Sequence, residues 1–346
     1  MTMKRLALLM TALLLMTVSA MAENTLDLTG RGEIGEHQVR ALITELSEAP
    51  AGTQVEMVGV KLSLKAKAQL ATALPQLFFH WEVELGDRVI DSTATTLDLD
   101  GQAKRANLTA FTNALSALPC LTEVTMHDYT FSTREMEKLM AEHLDIHFNW
   151  TITLNNYRIR TDVTAFSTAK GRQEPRYTAS MLYPLQYCPD LLALDVGHNN
   201  VSDLSFLTQW PKLRRLIVID SRKPVTDISP LAELDDLEYV ELFMQNITDL
   251  TPLAGKTKLL DLNLCYNDVT DLTPLYSCTS LERLWISHNY HLSKEQIEAF
   301  KAAVPGCQVE TETVKSTEAG WREHPRYFVM KESFDTRTYI PFEETK

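Results

Sequence analysis

The residues of this chain that could do chemistry are a histidine pair, a His-Asp pair, a recurring aspartate and five scattered cysteines. His143 and His147 stand four apart, the spacing that lets two imidazoles on one helical face hold a zinc ion. They straddle the expected end of a helix, and no third ligand lies at a recognisable spacing, so they read as polar residues at a helix–strand corner. His127-Asp128 and His198 could act as bases, but no nucleophile accompanies them. The patterns G-x-S-x-G, H-E-x-x-H and a phosphate-binding glycine loop do not occur. Asp203, Asp227, Asp249 and Asp271 each follow a Ser or Thr and precede a leucine or isoleucine. A column of carboxylates could hold calcium, yet each turn supplies only one, and capping of a short turn explains every one. Cys120, Cys188, Cys265, Cys278 and Cys307 are odd in number and far apart, which excludes a disulfide scaffold and a CxxC metal site. Cys188 and Cys278 lie three residues before a leucine that opens a repeat, a core-edge position suited to a buried thiol. No metal and no cofactor is expected.

The elements that position these residues are repeats. From Pro189 to Leu292, opening leucines fall at Leu191, Leu213, Leu237, Leu259 and Leu281, in steps of 22 to 24 residues. A fixed period in this range marks a solenoid whose units bury their apolar ridges against one another. Each turn reads Leu-x-x-Leu-x-Leu-x-x-Asn, as in Leu191, Leu194, Val196 and Asn199. The alternation turns every second side chain of a short strand inward. The Asn then satisfies backbone groups that the bend would strand. In three turns a Ser-Pro or Thr-Pro follows the aspartate, at Pro230, Pro252 and Pro274, which suits the start of a 3₁₀ turn.

The run Asn267–Leu275, echoed less perfectly at Gln245–Leu253, resembles the leucine-rich repeats of internalins. The match covers about a third of the chain (residues 189–310 with a C-terminal cap). The resemblance implies an α/β solenoid, a leucine-rich-repeat horseshoe with a concave parallel β-sheet that binds other molecules. The outer face is expected to carry full helices in the N-terminal units and short 3₁₀ turns in the C-terminal repeats. At the second turn Ser221 replaces the Asn and Ser221-Arg222-Lys223-Pro224 carries a two-residue insertion, so a bulge in the asparagine ladder is expected there.

In this register the third, fifth, seventh and eighth positions of each turn face away from the core. Tyr239, Phe243, Met244, Tyr266, Trp285 and His288 then gather on adjacent turns. Exposed aromatics and Met in one patch are the composition of a binding hot spot. These six are the candidate partner-binding residues, on an open concave face. Residues 311–346, rich in charge and aromatics, are expected to fold back in part onto the solenoid, and the alternative to an open face is that they cover these six residues.

Towards the N-terminus, Lys4 and Arg5, the apolar run Leu6 to Val18 and Ala20-Met21-Ala22 form a secretory signal over residues 1–22. The run is too short to span a membrane comfortably, so no membrane insertion is expected after its removal. Residues 23–168 contain a second periodicity at an offset of 69: Val55 meets Val124, Phe79 meets Phe148, Trp81 meets Trp150 and Ile90 meets Ile159. It predicts duplicated α/β units over 27–97 and 98–168, with helices at Glu36–Glu48, Leu64–Leu74, Leu108–Leu118 and Thr133–His143. Ser132 with Glu135 makes a capping box for the last. Residues 169–188 form a junction. The formal net charge of −13 argues against nucleic acid as a partner. The function these features imply is that of a secreted, non-enzymatic protein, extracellular or at the cell surface, that binds a protein or surface glycan. A hydrolase built on the solenoid and a self-associating surface protein are the alternatives.

Overall fold

A computed structural model describes residues 24–101, 107–155, 157–168 and 176–342. The expected signal, part of the junction and the last four residues lie outside these. The chain divides into two compact units that meet between Thr151 and Ile152.

In the first unit, strands β1 (Thr25–Asp27), β2 (Gln54–Glu56) and β3 (Phe78–His80) form a parallel three-stranded sheet. Helices α1 (Glu36–Leu46) and α2 (Leu64–Ala73) alternate with them. Strands β4 (Glu82–Leu85) and β5 (Arg88–Asp91) make an antiparallel hairpin that turns at Gly86 with φ +65°. The expected strand from His80 to Leu85 is broken at Trp81. The Trp81 amide donates to Ser92 Oγ (3.1 Å), and Ser92 Oγ donates to the Phe79 carbonyl (2.8 Å). The Trp81 indole is buried, stacks on Phe79 and donates to the Ala117 carbonyl at 2.7 Å. The buried ring turns the chain out of one sheet and into the hairpin.

The same succession then recurs. Strands β6 (Thr96–Asp98), β7 (Glu123–Thr125) and β8 (His147–Asn149) form a second parallel trio, with α3 (Leu108–Ser116) and α4 (Thr133–Glu142) between them. A hairpin follows, β9 (Thr151–Leu154) with β10 (Tyr157–Arg160). From β2 to β5 and from β7 to β10 the elements lie 69 residues apart. Ser132 and Glu135 form the capping box at the start of α4.

The second unit is built on one seven-stranded parallel sheet. Its strands are β11 (Ala165–Ser167), β12 (Ala193–Asp195), β13 (Arg215–Ile217), β14 (Tyr239–Glu241), β15 (Asp261–Asn263), β16 (Arg283–Trp285) and β17 (Gln308–Glu310). Pairing is in register, so Ala193, Arg215, Tyr239, Asp261 and Arg283 stand side by side. The inward leucines, Leu194, Leu216, Leu262 and Leu284 among them, are fully buried. On the return path Pro230, Pro252 and Pro274 open 3₁₀ turns. The carboxylates of Asp203, Asp227, Asp249 and Asp271 each accept a backbone N–H two residues on, at 2.8 Å. The asparagines tie successive turns together. Asn267 Nδ2 donates to the carbonyls of Leu242 (2.9 Å) and Leu264 (3.0 Å), while its Oδ1 accepts from Ile247 N (2.9 Å). Ser221 is too short for this and instead donates to the Val201 carbonyl at 3.1 Å. The ladder is altered at that turn while the strands pair on through it. Helix α5 (Lys294–Ala303) follows the last complete turn, and α6 (Pro325–Thr336) lies near the C-terminus.

Two predictions follow from this packing. Leu262→Ala should lower unfolding free energy by about 2–5 kcal/mol, because it empties a fully buried site. Asp249→Ala removes only an exposed cap and should cost roughly 0.5–2 kcal/mol. Urea denaturation separates the two, and equal losses would mean the register is misassigned. The second concerns His80, whose Nδ1 meets Glu56 (2.7 Å) and Nε2 meets Asp91 (3.1 Å). Burial alone would lower its pKa, but these two carboxylates outweigh burial and raise it above 6.5. The protonated ring therefore favours the folded unit: its contribution is complete below pH 6.5 and fades as pH rises through the higher folded value. Thermal melts from pH 5 to 9 should show this decline, and His80→Gln should flatten it.

Candidate functional site

The sheet face of the second unit is where the sequence places a binding site, and the C-terminal segment occupies it. Trp321 is wholly buried among Ala193, Ile217, Tyr239, Phe243 and Trp285, with Met330 and Phe334 of α6 beside it. The Trp321 ring lies 5.0 Å from Trp285 and 5.5 Å from Tyr239. The expectation of an open face is thereby overturned for Tyr239, Phe243 and Trp285. The aromatics that look like a hot spot are core, because the tail supplies matching aromatics of its own.

The polar side chains of the face are committed in the same way. The Asp261 carboxylate has no exposure and accepts from Arg283 Nε (2.6 Å) and from Arg326 Nε and Nη2 (2.7 and 2.9 Å). Arg326 belongs to α6 and also reaches Glu282 at 2.6 Å. Arg215 donates to Ser333 Oγ (3.0 Å) and to the Ile340 carbonyl (2.6 Å). Its guanidinium lies 3.7 Å from the Phe342 ring centroid and 4.4 Å from that of Tyr339. Trp321 Nε1 donates to Glu241 (2.9 Å), as does the Tyr239 hydroxyl. Trp285 Nε1 donates to the Glu318 carbonyl (2.9 Å), and Asn263 Nδ2 to that of Ser316 (2.7 Å).

Two parts of the face are not sealed. A cavity of about 340 Å³ lies between β12–β14 and α6, with the buried carboxylates of Asp195 and Glu241 among its lining and Arg322 and Lys331 at its exposed rim. Burial pushes the pKa of both carboxylates up, against hydrogen bonds from Gly197 and Ser167 to Asp195 and from Tyr239 and Trp321 to Glu241. The other part is the edge where each strand ends. There the eighth residue of every turn has a left-handed backbone: His198, Asp220, Met244, Tyr266 and His288, with φ from 47° to 63°. Met244 is 45 % exposed, while Tyr266 and His288 are half-buried and stack with ring centroids 3.9 Å apart. Their polar atoms hold the tail: Tyr266 OH donates to the Val314 carbonyl, and His288 Nε2 lies 2.8 Å from that of Thr313. Of the six expected site residues, the structure thus brings Met244, Tyr266 and His288 to a surface edge and puts the other three under the tail.

In-register strands every 22 to 24 residues, an asparagine or its substitute at each bend and aspartate-capped 3₁₀ returns decide the architecture. The fold is a leucine-rich-repeat solenoid. No family model matches the chain, and no curated protein does. Among solved structures it is similar to internalin F of Listeria monocytogenes, at 16 % identity over 78 % of this chain and 64 % of that one, with a TM-score of 0.34. Internalin C2 of the same organism matches at 23 % identity over 47 % of this chain and 80 % of that one (TM-score 0.31). A leucine-rich-repeat protein of Leptospira interrogans matches at 16 % identity over 74 % and 71 % (TM-score 0.39). The chain spans less than two thirds of the internalin F chain. The leucine-rich-repeat assignment stands on this solenoid's own register and turns, not on these likenesses.

The other candidates of the sequence are placed as follows. His127 Nδ1 lies 2.8 Å from Asp100, and Asp128 accepts from the Gly101 amide. His198 Nδ1 lies 3.0 Å from Asp220. His143 caps the end of α4, where burial lowers its pKa, and His147 Nε2 lies 3.0 Å from Asn149 Oδ1. No cluster of three metal-ligating side chains occurs among the described residues. All five cysteines are free thiols, and Cys188, Cys265 and Cys278 are buried. Burial pushes the Cys188 thiol up to about 12 and Cys265 to about 11.

The covering segment should behave as part of the core. Phe243→Ala together with Trp285→Ala should strongly destabilise the protein. Trp321→Ala alone should cost about 3–5 kcal/mol. Asp261→Asn leaves Arg283 and Arg326 without their buried counter-charge and should cost a similar amount, about 3–5 kcal/mol. Urea unfolding curves unmoved by these changes would mean that the tail does not lie on the face.

Proposed function

We propose that this chain is a secreted, non-enzymatic binding scaffold that holds a protein partner along the strand-end edge at Met244, Tyr266 and His288. The observation that carries the reading is the left-handed backbone at the eighth position of every turn. Glycine and asparagine adopt that conformation at least cost, and aspartate and histidine are tolerated there. Met244 (φ 59°) and Tyr266 (φ 57°) are neither, and each holds its backbone at a cost of roughly 1 kcal/mol or more. Strain of this kind persists where the side chain has a use. An exposed methionine beside stacked aromatic rings has the composition of protein interfaces.

Secretion rests on the signal pattern at residues 1–22, and no helix among the described residues is long and apolar enough to cross a membrane. A hydrolase centred on His80 has little to work with, because both ring nitrogens are engaged by carboxylates and neither is left to activate a nucleophile.

Met244→Asn separates binding from folding. Stability should stay within about 1 kcal/mol of the parent, since relief of backbone strain offsets lost packing. Capture of a partner from cell-surface extracts should fall about tenfold or more, as loss of an interface anchor implies. Unchanged capture by Met244→Asn and by Tyr266→Phe/Met244→Asn would discard the edge as the site. Capture that survives protease treatment of the extract but not deglycosylation would assign the edge to a glycan instead.

A further inference from the structure

The first unit contains a pocket of about 640 Å³ unrelated to the strand-end edge. Its lining mixes apolar side chains, Ile34, Met57, Val60 and Leu64 among them, with polar ones, and among the polar ones Lys67 of α2 is buried, at 9 % exposed. The Lys67 ammonium donates to the Glu82 carbonyl. The charged groups around it are Glu33, Glu36, Lys61, Glu82 and Glu84, all exposed at the rim.

The chain carries its own control for this site. At the offset of 69, Lys67 corresponds to Met136, which is buried at the equivalent place in α4. The acidic pair Glu82 and Glu84 corresponds to Thr151 and Thr153. Val60 and Leu62 correspond to Tyr129 and Phe131, whose ring centroids lie 5.6 and 5.4 Å from that of Phe111 and 6.0 Å from each other. Helix, strands and hairpin are the same in both copies, so the backbone does not require a lysine, two glutamates or small aliphatics here. An apolar residue serves the fold at this position, and burying an amine costs free energy that a methionine does not.

We propose that the Lys67 pocket is a capture site for a small, neutral carbonyl compound, an aldehyde or ketone, which the lysine amine binds covalently as an imine. The Nζ lone pair adds to the carbonyl carbon, and a proton moves from nitrogen to oxygen through solvent to give the carbinolamine. Loss of water then leaves the C=N bond. Nothing is oxidised or reduced. Burial lowers the pKa of Lys67, opposed in part by Glu84 and Glu82, and so raises the share of free amine that can attack. The apolar part of the lining, at Ile34, Met57, Val60 and Leu64, suits an uncharged chain, and the glutamates at the rim repel carboxylates and phosphates.

The test is reductive trapping on the full chain with butyraldehyde and cyanoborohydride, read by peptide mass spectrometry. At pH 7, Lys67 should be modified about tenfold or more faster than Lys138, an exposed lysine of α4. The advantage should shrink towards pH 10, where ordinary lysines also lose their protons. Glyoxylate, an anionic aldehyde, should show a smaller preference for Lys67 than butyraldehyde does. Lys67→Met installs the residue of the second copy, so the fold should persist while the fast site disappears. Labelling of Lys67 in the parent protein no faster than Lys138 overturns the proposal, whether or not the variant folds. Equal preference for the anionic and the neutral probe overturns the assigned ligand class.

Discussion

The in-register parallel sheet of the second unit is the constraint on which its remaining structure depends. Register lines up the outward residues of successive turns, so Arg215, Tyr239, Asp261 and Arg283 become neighbours whatever their separation in sequence. A face with charges of both signs set among large aromatics is either wet or fully partnered, since burying a lone charge costs several kcal/mol. Here it is largely partnered, although Arg215 Nε and Arg283 Nη2 are buried without a hydrogen-bond partner. Arg326 completes Asp261, Ser333 and the Ile340 carbonyl complete Arg215, and Trp321 completes Glu241. The tail therefore belongs to the repeat domain, although it crosses the face instead of extending the solenoid.

The turn at the end of each strand sets a second pair of requirements at adjacent positions. The eighth residue must enter the left-handed region, and the ninth must supply an amide that bonds carbonyls and an N–H of neighbouring turns. Gln245 meets the second requirement with a longer side chain, reaching Val218 O at 3.2 Å and Val225 N at 2.7 Å. Ser221 cannot. The first requirement leaves side-chain identity free at a price in strain, and only Met244 and Tyr266 are there without the polar side chain that eases it.

Much of the architecture was legible in the sequence because short-period signals report local geometry. The leucine spacing marked the strands, the Ser-Pro and Thr-Pro pairs marked the 3₁₀ turns, and Ser132 with Glu135 marked the start of α4. The offset of 69 anticipated elements of matching length from β2 to β5 and from β7 to β10. The covering of the face was legible only as an alternative, from the aromatics of residues 311–346. Alternation tells which side of a strand a residue occupies and says nothing of what lies above it. Helix α6 also docks through Arg326 and Ser333 as well as Met330 and Phe334, so it lacks the apolar stripe that announces a buried helix. Residues read as a hot spot and residues of a polar–aromatic core have the same composition.

Magnitudes decide whether the covered face could still serve a partner by releasing the tail. Exposing it breaks the Arg326 contacts to Asp261, with Arg283 still in place and water free to solvate the separated groups, and uncovers Trp321, at about 3–5 kcal/mol for an indole. The Arg215 contacts and several hydrogen bonds to tail carbonyls add to this. A partner binding with micromolar affinity supplies only about 8 kcal/mol in all. Displacement would consume a large share of that. A ligand that uses what the tail leaves accessible avoids that cost, which directs attention to the strand-end edge at Met244 and to the cavity between Asp195 and Glu241.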